Sequence, residues 1–139
     1  MGFCFDAAPT KVEIFQESME PSLKIICAED NPQIGDILVC LLTRLGHDVR
    51  HVHNGREAWE LFTRESGAFD LVVTDNQMPE VGGLDLVGLL RQAHFSGRIV
   101  VYSSSLNERD RARYEQLGVE RFVEKSAVPA QLLAAVGGI

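Results

Sequence analysis

The sequence predicts an α/β fold, a single doubly wound five-stranded parallel sheet with five helices on its two faces. Three observations carry this. From residue 23 onward, short apolar runs alternate strictly with stretches of helical periodicity, without internal repeats or low-complexity tracts. Such alternation calls for right-handed crossovers and helices on both faces of the sheet. Second, Val72, Val73 and Thr74 lead straight into Asp75, and the turn Met78-Pro79 with Gly82-Gly83 behind it stops the strand there. Third, two more apolar runs end on charged side chains, one on the pair Glu29-Asp30 and one on Lys125. Open parallel sheets bind ligands beyond the carboxyl ends of their strands, so these charges are expected to share one edge.

The elements follow in order. The first strand lies in residues 23–31 and ends at the acidic pair. Ile34, Ile37, Leu38, Leu41, Leu42 and Leu45 then trace one helical face, and Gly46 suits a C-terminal cap. Residues 48–52 are a short second strand. Ala58, Leu61 and Phe62 mark the second helix, opened near Asn54-Gly55, and residues 71–74 are the third strand. Leu86, Leu89, Leu90 and Ala93 give the third helix its buried stripe. Residues 98–105 read as a fourth strand running into a polar loop. The helix after it, residues 108–117, is mostly charged, with Ala112, Tyr114 and Leu117 as its apolar positions and Gly118 as its stop. Residues 121–124 are the fifth strand. Pro129 suits the first position of a last helix, with Leu132, Leu133 and Val136 facing inward. Residues 1–22 are expected to be a flexible leader, although Val12, Phe15 and Met19 share helical spacing, and residues 23–139 one domain.

Composition narrows the classes. A chain of 139 residues suffices for one core burying roughly two-thirds of the unfolded surface. A net charge of −7 argues against direct nucleic-acid binding, which wants a basic face. Cys4, Cys27 and Cys40 lack metal-ligand spacing and are expected to be buried free thiols in a reducing compartment. No run approaches a membrane span, and the start, with an acid at Asp6 and no basic stretch, makes a poor signal peptide. A cytoplasmic location is expected.

Three carboxylates and one ammonium at neighbouring strand ends suit a divalent cation and a phosphoryl group. Attack of a carboxylate on a phosphoryl group is slowed by anion repulsion, worth about 4 kcal/mol per charge pair at 4 Å and an effective dielectric near 20. Mg²⁺ offsets that repulsion and needs few protein ligands, which Glu29, Asp30 and Asp75 can supply. Lys125 can place a compact positive charge on a phosphoryl oxygen, and Ser103 can donate a hydrogen bond to another. Each residue alone has a plainer account. Asp30 before Asn31-Pro32 could cap a helix, and Asp75 could form an Asx turn ahead of Met78-Pro79. Ser103 could be a solvated loop hydroxyl, and Lys125 a surface lysine. Their joint placement is what the plain accounts leave unexplained.

These residues bring the chain to a family. Across about residues 23–136 it resembles the receiver domain of two-component response regulators. The resemblance rests on the acidic pair Glu29-Asp30, on Asp75 with Met78-Pro79 and Gly82 or Gly83, on Ser103, Phe122 and Lys125, and on the spacings between them. It implies a flavodoxin-like strand order of 2-1-3-4-5, which alternation alone does not fix. It implies that Asp75 accepts a phosphoryl group from a histidine of a sensor kinase or phosphotransfer protein. Asp30 and Asp75 would ligate Mg²⁺ directly with the backbone carbonyl of Gln77, and Glu29 would act through water. Ser103 and Lys125 would bind the phosphoryl group, and Ser103 with Phe122 would form the switch. Gln77 and Ser105 would tune loss of the phosphoryl group.

Two positions depart from the family pattern. Glu29 stands where many members have Asp. Ser126 stands where the family usually has a proline joined by a cis bond, and a cis bond to serine would cost about 2.5–4 kcal/mol.

The reading is therefore a phosphorylation-controlled signalling switch that catalyses its own phosphorylation and dephosphorylation and is otherwise no enzyme. Its downstream target would dock on residues 107–137, and a phosphorylation-dependent homodimer is compatible with it. One alternative is a degenerate receiver that serves as a protein-binding module, which would require a lost ligand or phosphoacceptor. The other is an aspartyl-phosphate hydrolase of the haloacid dehalogenase type. That class wants a second acid two residues past the nucleophile, where this chain has Gln77.

Overall fold

A computed structural model describes residues 22–65, 68–125, 134 and 136. Among these residues five strands, β1 (Lys24–Ala28), β2 (Asp48–Val52), β3 (Leu71–Asp75), β4 (Arg98–Ser103) and β5 (Arg121–Glu124), alternate with four complete helices. These are α1 (Pro32–Arg44), α2 (Gly55–Arg64), α3 (Gly83–Gln92) and α4 (Glu108–Gln116). All pairings are parallel, and the strand order is β2-β1-β3-β4-β5. The expected fifth helix falls almost wholly outside the described residues, as do the leader, Cys4 and Ser126. Ala134 and Val136 are helical, and Val136 is buried against the face of the sheet that α1 covers.

The strands build two cores. Ile25, Cys27, Leu71, Val73, Val100 and Tyr102 point to the side where Leu38 and Leu42 of α1 pack. Their alternates, Ile26, Ala28, Val72, Ile99 and Val101, meet Ala58, Leu61, Phe62, Leu86, Leu90 and Tyr114 from α2, α3 and α4. A sheet covered on both faces needs apolar residues at successive positions, which is why β1 and β3 read as unbroken apolar runs. Asp75 pairs with Tyr102 at the carboxyl end of this sheet.

Asparagine side chains cap three of these helices, while α3 starts from Gly82 without a side-chain cap. Asn31 accepts from the backbone N–H groups of Gln33 and Ile34, with Pro32 behind it, so α1 is capped without help from Asp30. Asn54 and Asn107 cap α2 and α4 in the same way. Gly46 and Gly118 take positive φ just past α1 and α4, ending them.

Some expectations on burial are corrected. The apolar stripe of α1 is wider than its contact with the sheet, so Ile37 and Leu45 are 52% exposed. Cys40 is also exposed, while Cys27 is buried. On α3, Leu89 is half-buried and Ala93 exposed. The difference is measurable. Leu42→Ala, which empties a fully buried position, is expected to cost about 2–5 kcal/mol. Ile37→Ala should stay within about 0.5 kcal/mol. Equal losses in urea melts of the two variants would contradict this packing.

Candidate functional site

The strand register brings the predicted charges together. β1 and β3 are adjacent, so their carboxyl ends place Glu29, Asp30 and Asp75 side by side. One carboxylate oxygen from each lies within 4.8 Å of the others. Among the described residues this is the one such acidic group. Lys125, at the end of β5, reaches over with Nζ 2.8 Å from Asp75 Oδ2 and 3.4 Å from Glu29 Oε1. Asp75 and Glu29 are buried and Asp30 is exposed, so the site opens to solvent on the Asp30 side.

Charge shapes the titration here. Although Asp30 is exposed, some loss of hydration, with a hydrogen bond and repulsion from Glu29, outweighs the charge of Lys125 and raises its carboxyl above the ordinary value. Burial pulls the Lys125 ammonium down, but the hydrogen bond and charge of Asp75, with the charge of Glu29, outweigh it and leave it raised. The ammonium therefore stays charged. Oxygen-only donors at this spacing fit a hard divalent cation, since Mg²⁺ takes oxygens from one or two carboxylates and retains waters.

The remaining predicted residues sit nearby in different roles. Gln77 has an exposed side chain, and its backbone N–H donates to Asp75 Oδ1 at 3.2 Å. Asp75 thus forms an Asx turn and also belongs to the acidic cluster. Ser103 ends β4, is 7% exposed, and turns its hydroxyl to Ser105, donating to the carbonyl at 2.7 Å and accepting from the N–H at 3.2 Å. Ser105 is exposed. Phe122 is half-buried, with the Tyr114 ring 6.1 Å away edge-on and the Arg111 guanidinium 4.3 Å above its face.

Two tyrosines that the sequence did not mark as part of the site reach it with their hydroxyls. Tyr102 is fully buried, and its hydroxyl donates to Glu29 Oε1 at 2.7 Å. Burial, the neighbouring Cys27 and the bond to Glu29 raise its pKa far beyond the ordinary phenol. Tyr114 of α4 is also fully buried and donates to Asn76 Oδ1, one residue past Asp75. Gly83 makes room for it, since a Cβ there would lie 2.4 Å from the Asp75 carbonyl and 2.7 Å from the Tyr114 hydroxyl. The available signal was a tyrosine in an otherwise aliphatic strand or a charged helix, because a buried phenol needs a partner. Beneath the site, burial and the charge of Glu29 push the Cys27 thiol up to about 12. That leaves it without thiolate reactivity.

The chain is similar to known proteins over most of its length. The family model for the response regulator receiver domain matches residues 25–137. A curated relative, the DNA-binding transcriptional regulator NtrC of Azospirillum brasilense, is 31% identical over 130 residues. That match takes in 81% of this chain and 27% of the relative, so the chain spans about a quarter of that protein's length. Among solved structures, the BeF3-activated N-terminal receiver domain of Klebsiella pneumoniae RstA is 30% identical with a TM-score of 0.72. That match covers 82% of this chain and 95% of that one. A response regulator receiver protein from Pseudomonas putida, 24% identical, superposes with a TM-score of 0.77, covering 86% and 99%.

The chain belongs to the response regulator receiver domain family. It is a receiver of the two-component kind, the unit through which phosphorylation drives signalling. Among the described residues, no helix is long and apolar enough to cross a membrane.

Proposed function

We propose that Asp75 is the phosphoacceptor, taking its phosphoryl group from a phosphohistidine of a sensor histidine kinase or histidine phosphotransfer protein in the cytoplasm. The observation that carries this is the convergence of three carboxylates within 4.8 Å, with Lys125 bonded to the one on β3. In the transfer, an Asp75 oxygen bonds to phosphorus as the N–P bond breaks, and the imidazole leaves with the electron pair. Asp30, Asp75 and the Gln77 carbonyl would hold Mg²⁺, with Glu29 acting through water. When bound, the ion offsets the repulsion between the carboxylate and the phosphoryl oxygens. Lys125 then exchanges its bond to Asp75 for one to a phosphoryl oxygen, and Ser103 supplies a hydroxyl to another. The same residues would catalyse loss of the group to water, at a rate tuned by Gln77 and Ser105.

Phosphorylation is read out, in this account, through Ser103 and Phe122. Ser103 leaves the Ser105 turn for the phosphoryl group, and the Phe122 ring moves into the space beneath β4. Phenylalanine carries no hydroxyl to hold it outward, so some inward population precedes phosphorylation and the switch is leaky. The target, or a second copy of the chain, would meet residues 107–137, where Glu108, Arg109, Arg111, Arg113 and Glu115 are exposed. A charged face suits salt-sensitive pairing. The relative's DNA binding belongs to that protein. The net charge of −7 argues against it for these residues.

Beryllofluoride, a mimic of the phosphoryl group, tests this readout. Chemical-shift changes are expected at Ser103 and Phe122 and across residues 107–137. Ser103→Ala should weaken them while Asp75 still labels with acetyl phosphate. Changes confined to the acidic cluster would contradict the coupling.

A further inference from the structure

We propose that Tyr102 is a positioning residue for the cation site. Its hydroxyl aims the Glu29 carboxylate, and its ring seats the Lys125 ammonium. The inference rests on the reading of the acidic cluster as a Mg²⁺ site and adds to it a residue from inside the sheet.

Glu29 is fully buried, and its polar atoms are held from several sides. Its N–H donates to the Val52 carbonyl at 3.0 Å, and its carbonyl lies 2.9 Å from His51 Nε2. Oε2 accepts from the Asn31 N–H at 2.8 Å. Oε1 accepts from the Tyr102 hydroxyl at 2.7 Å and faces Lys125 at 3.4 Å. The backbone is therefore fixed by β2, and one carboxylate oxygen by the start of α1. The other oxygen is held between a neutral donor, the Tyr102 hydroxyl, and a cation, the Lys125 ammonium. Without the hydroxyl, Lys125 would be the nearest donor to Oε1, and it would be drawn toward Glu29 and away from Asp75. The Lys125 Nζ sits 5.5 Å from the centroid of the Tyr102 ring, within cation–π range. One side chain thus touches both charged groups that flank Asp75.

Residue 29 being Glu gives the pairing its reach. A carboxylate one methylene shorter would fall short of a hydroxyl that lies behind it in the sheet, so the bond belongs to Glu and not to Asp at this position. Groups behind metal ligands set ligand orientation, and removing one commonly costs 10–100-fold in affinity.

The test is a double-mutant cycle on Mg²⁺ affinity in the full chain, measured by calorimetry. Tyr102→Phe keeps the ring under Lys125 and removes only the hydroxyl. It is expected to weaken Mg²⁺ binding about tenfold in the Glu29 background. In a Glu29→Asp background the same change should leave affinity within about twofold, since no bond remains to break. An equal loss in both backgrounds would reveal a general packing role and overturn the inference. No loss in the Glu29 background would overturn it as well. A measurement on the unaltered chain stands beside the cycle in case a variant does not fold. The Tyr102 hydroxyl proton should be protected from exchange and should shift when Mg²⁺ is added. A resonance that ignores Mg²⁺ would count against the proposal. A wild-type chain that binds no Mg²⁺ would defeat the underlying reading, and this inference with it.

Discussion

Asp75→Asn is expected to abolish labelling by acetyl phosphate while the protein stays folded. The amide cannot act as the attacking oxyanion, and no other carboxylate of the site has both the position and the lysine. Glu29 is held by Tyr102 and Asn31, and Asp30 has no hydrogen bond to Lys125 among those described. The fold should tolerate the change because two terms oppose each other. Losing the charged hydrogen bond from Lys125 costs about 1.5–3 kcal/mol. Relief of the repulsion from Glu29 and Asp30 acts in the opposite direction, with an upper bound of about 4 kcal/mol per pair at 4 Å and an effective dielectric near 20, reduced by solvent on the Asp30 side. The metal-free variant should melt no lower than wild type. Labelling that survives in Asp75→Asn would place the phosphoacceptor elsewhere.

The second large effect is the loss of Mg²⁺ dependence in Asp30→Ala. Asp30 is the exposed member of the cluster, and Asn31 rather than Asp30 caps α1, so its removal should not disturb the helix. Wild type should gain about 2.7 kcal/mol of stability at a Mg²⁺ concentration a hundred times its dissociation constant. The variant should gain nothing measurable, and its labelling should fall to the level seen with EDTA. A melt of Asp30→Ala that still rises with Mg²⁺ would remove Asp30 from the ligand set.

Much of this was legible from residue types and spacing, because each element carries its own period and its own stop. β3 announces itself as apolar β-branched residues closed by Asp75, and Gly118 ends α4 through a positive φ. The sharing of one edge by Glu29, Asp30, Asp75 and Lys125 followed from parallel strands all ending on the same side. Strand order was not in the alternation and came only with the family resemblance. What stayed hidden depended on contacts across the sheet. Tyr102 and Glu29 are neighbours only because β4 lies beside β3 and β3 beside β1. Tyr114 passed for an ordinary apolar position of a charged helix, yet its hydroxyl reaches the residue after Asp75. The stripe on α1 overstated burial because periodicity reports which face is apolar but not how wide the sheet beneath it is.

The most direct measurement is intact-mass and peptide mass spectrometry of the wild-type chain after incubation with acetyl phosphate, with Mg²⁺ and with EDTA. The account predicts one phosphoryl group per chain, carried on the peptide containing Asp75, formed with Mg²⁺ and absent with EDTA. A label on another peptide, or one that forms equally well in EDTA, would contradict it.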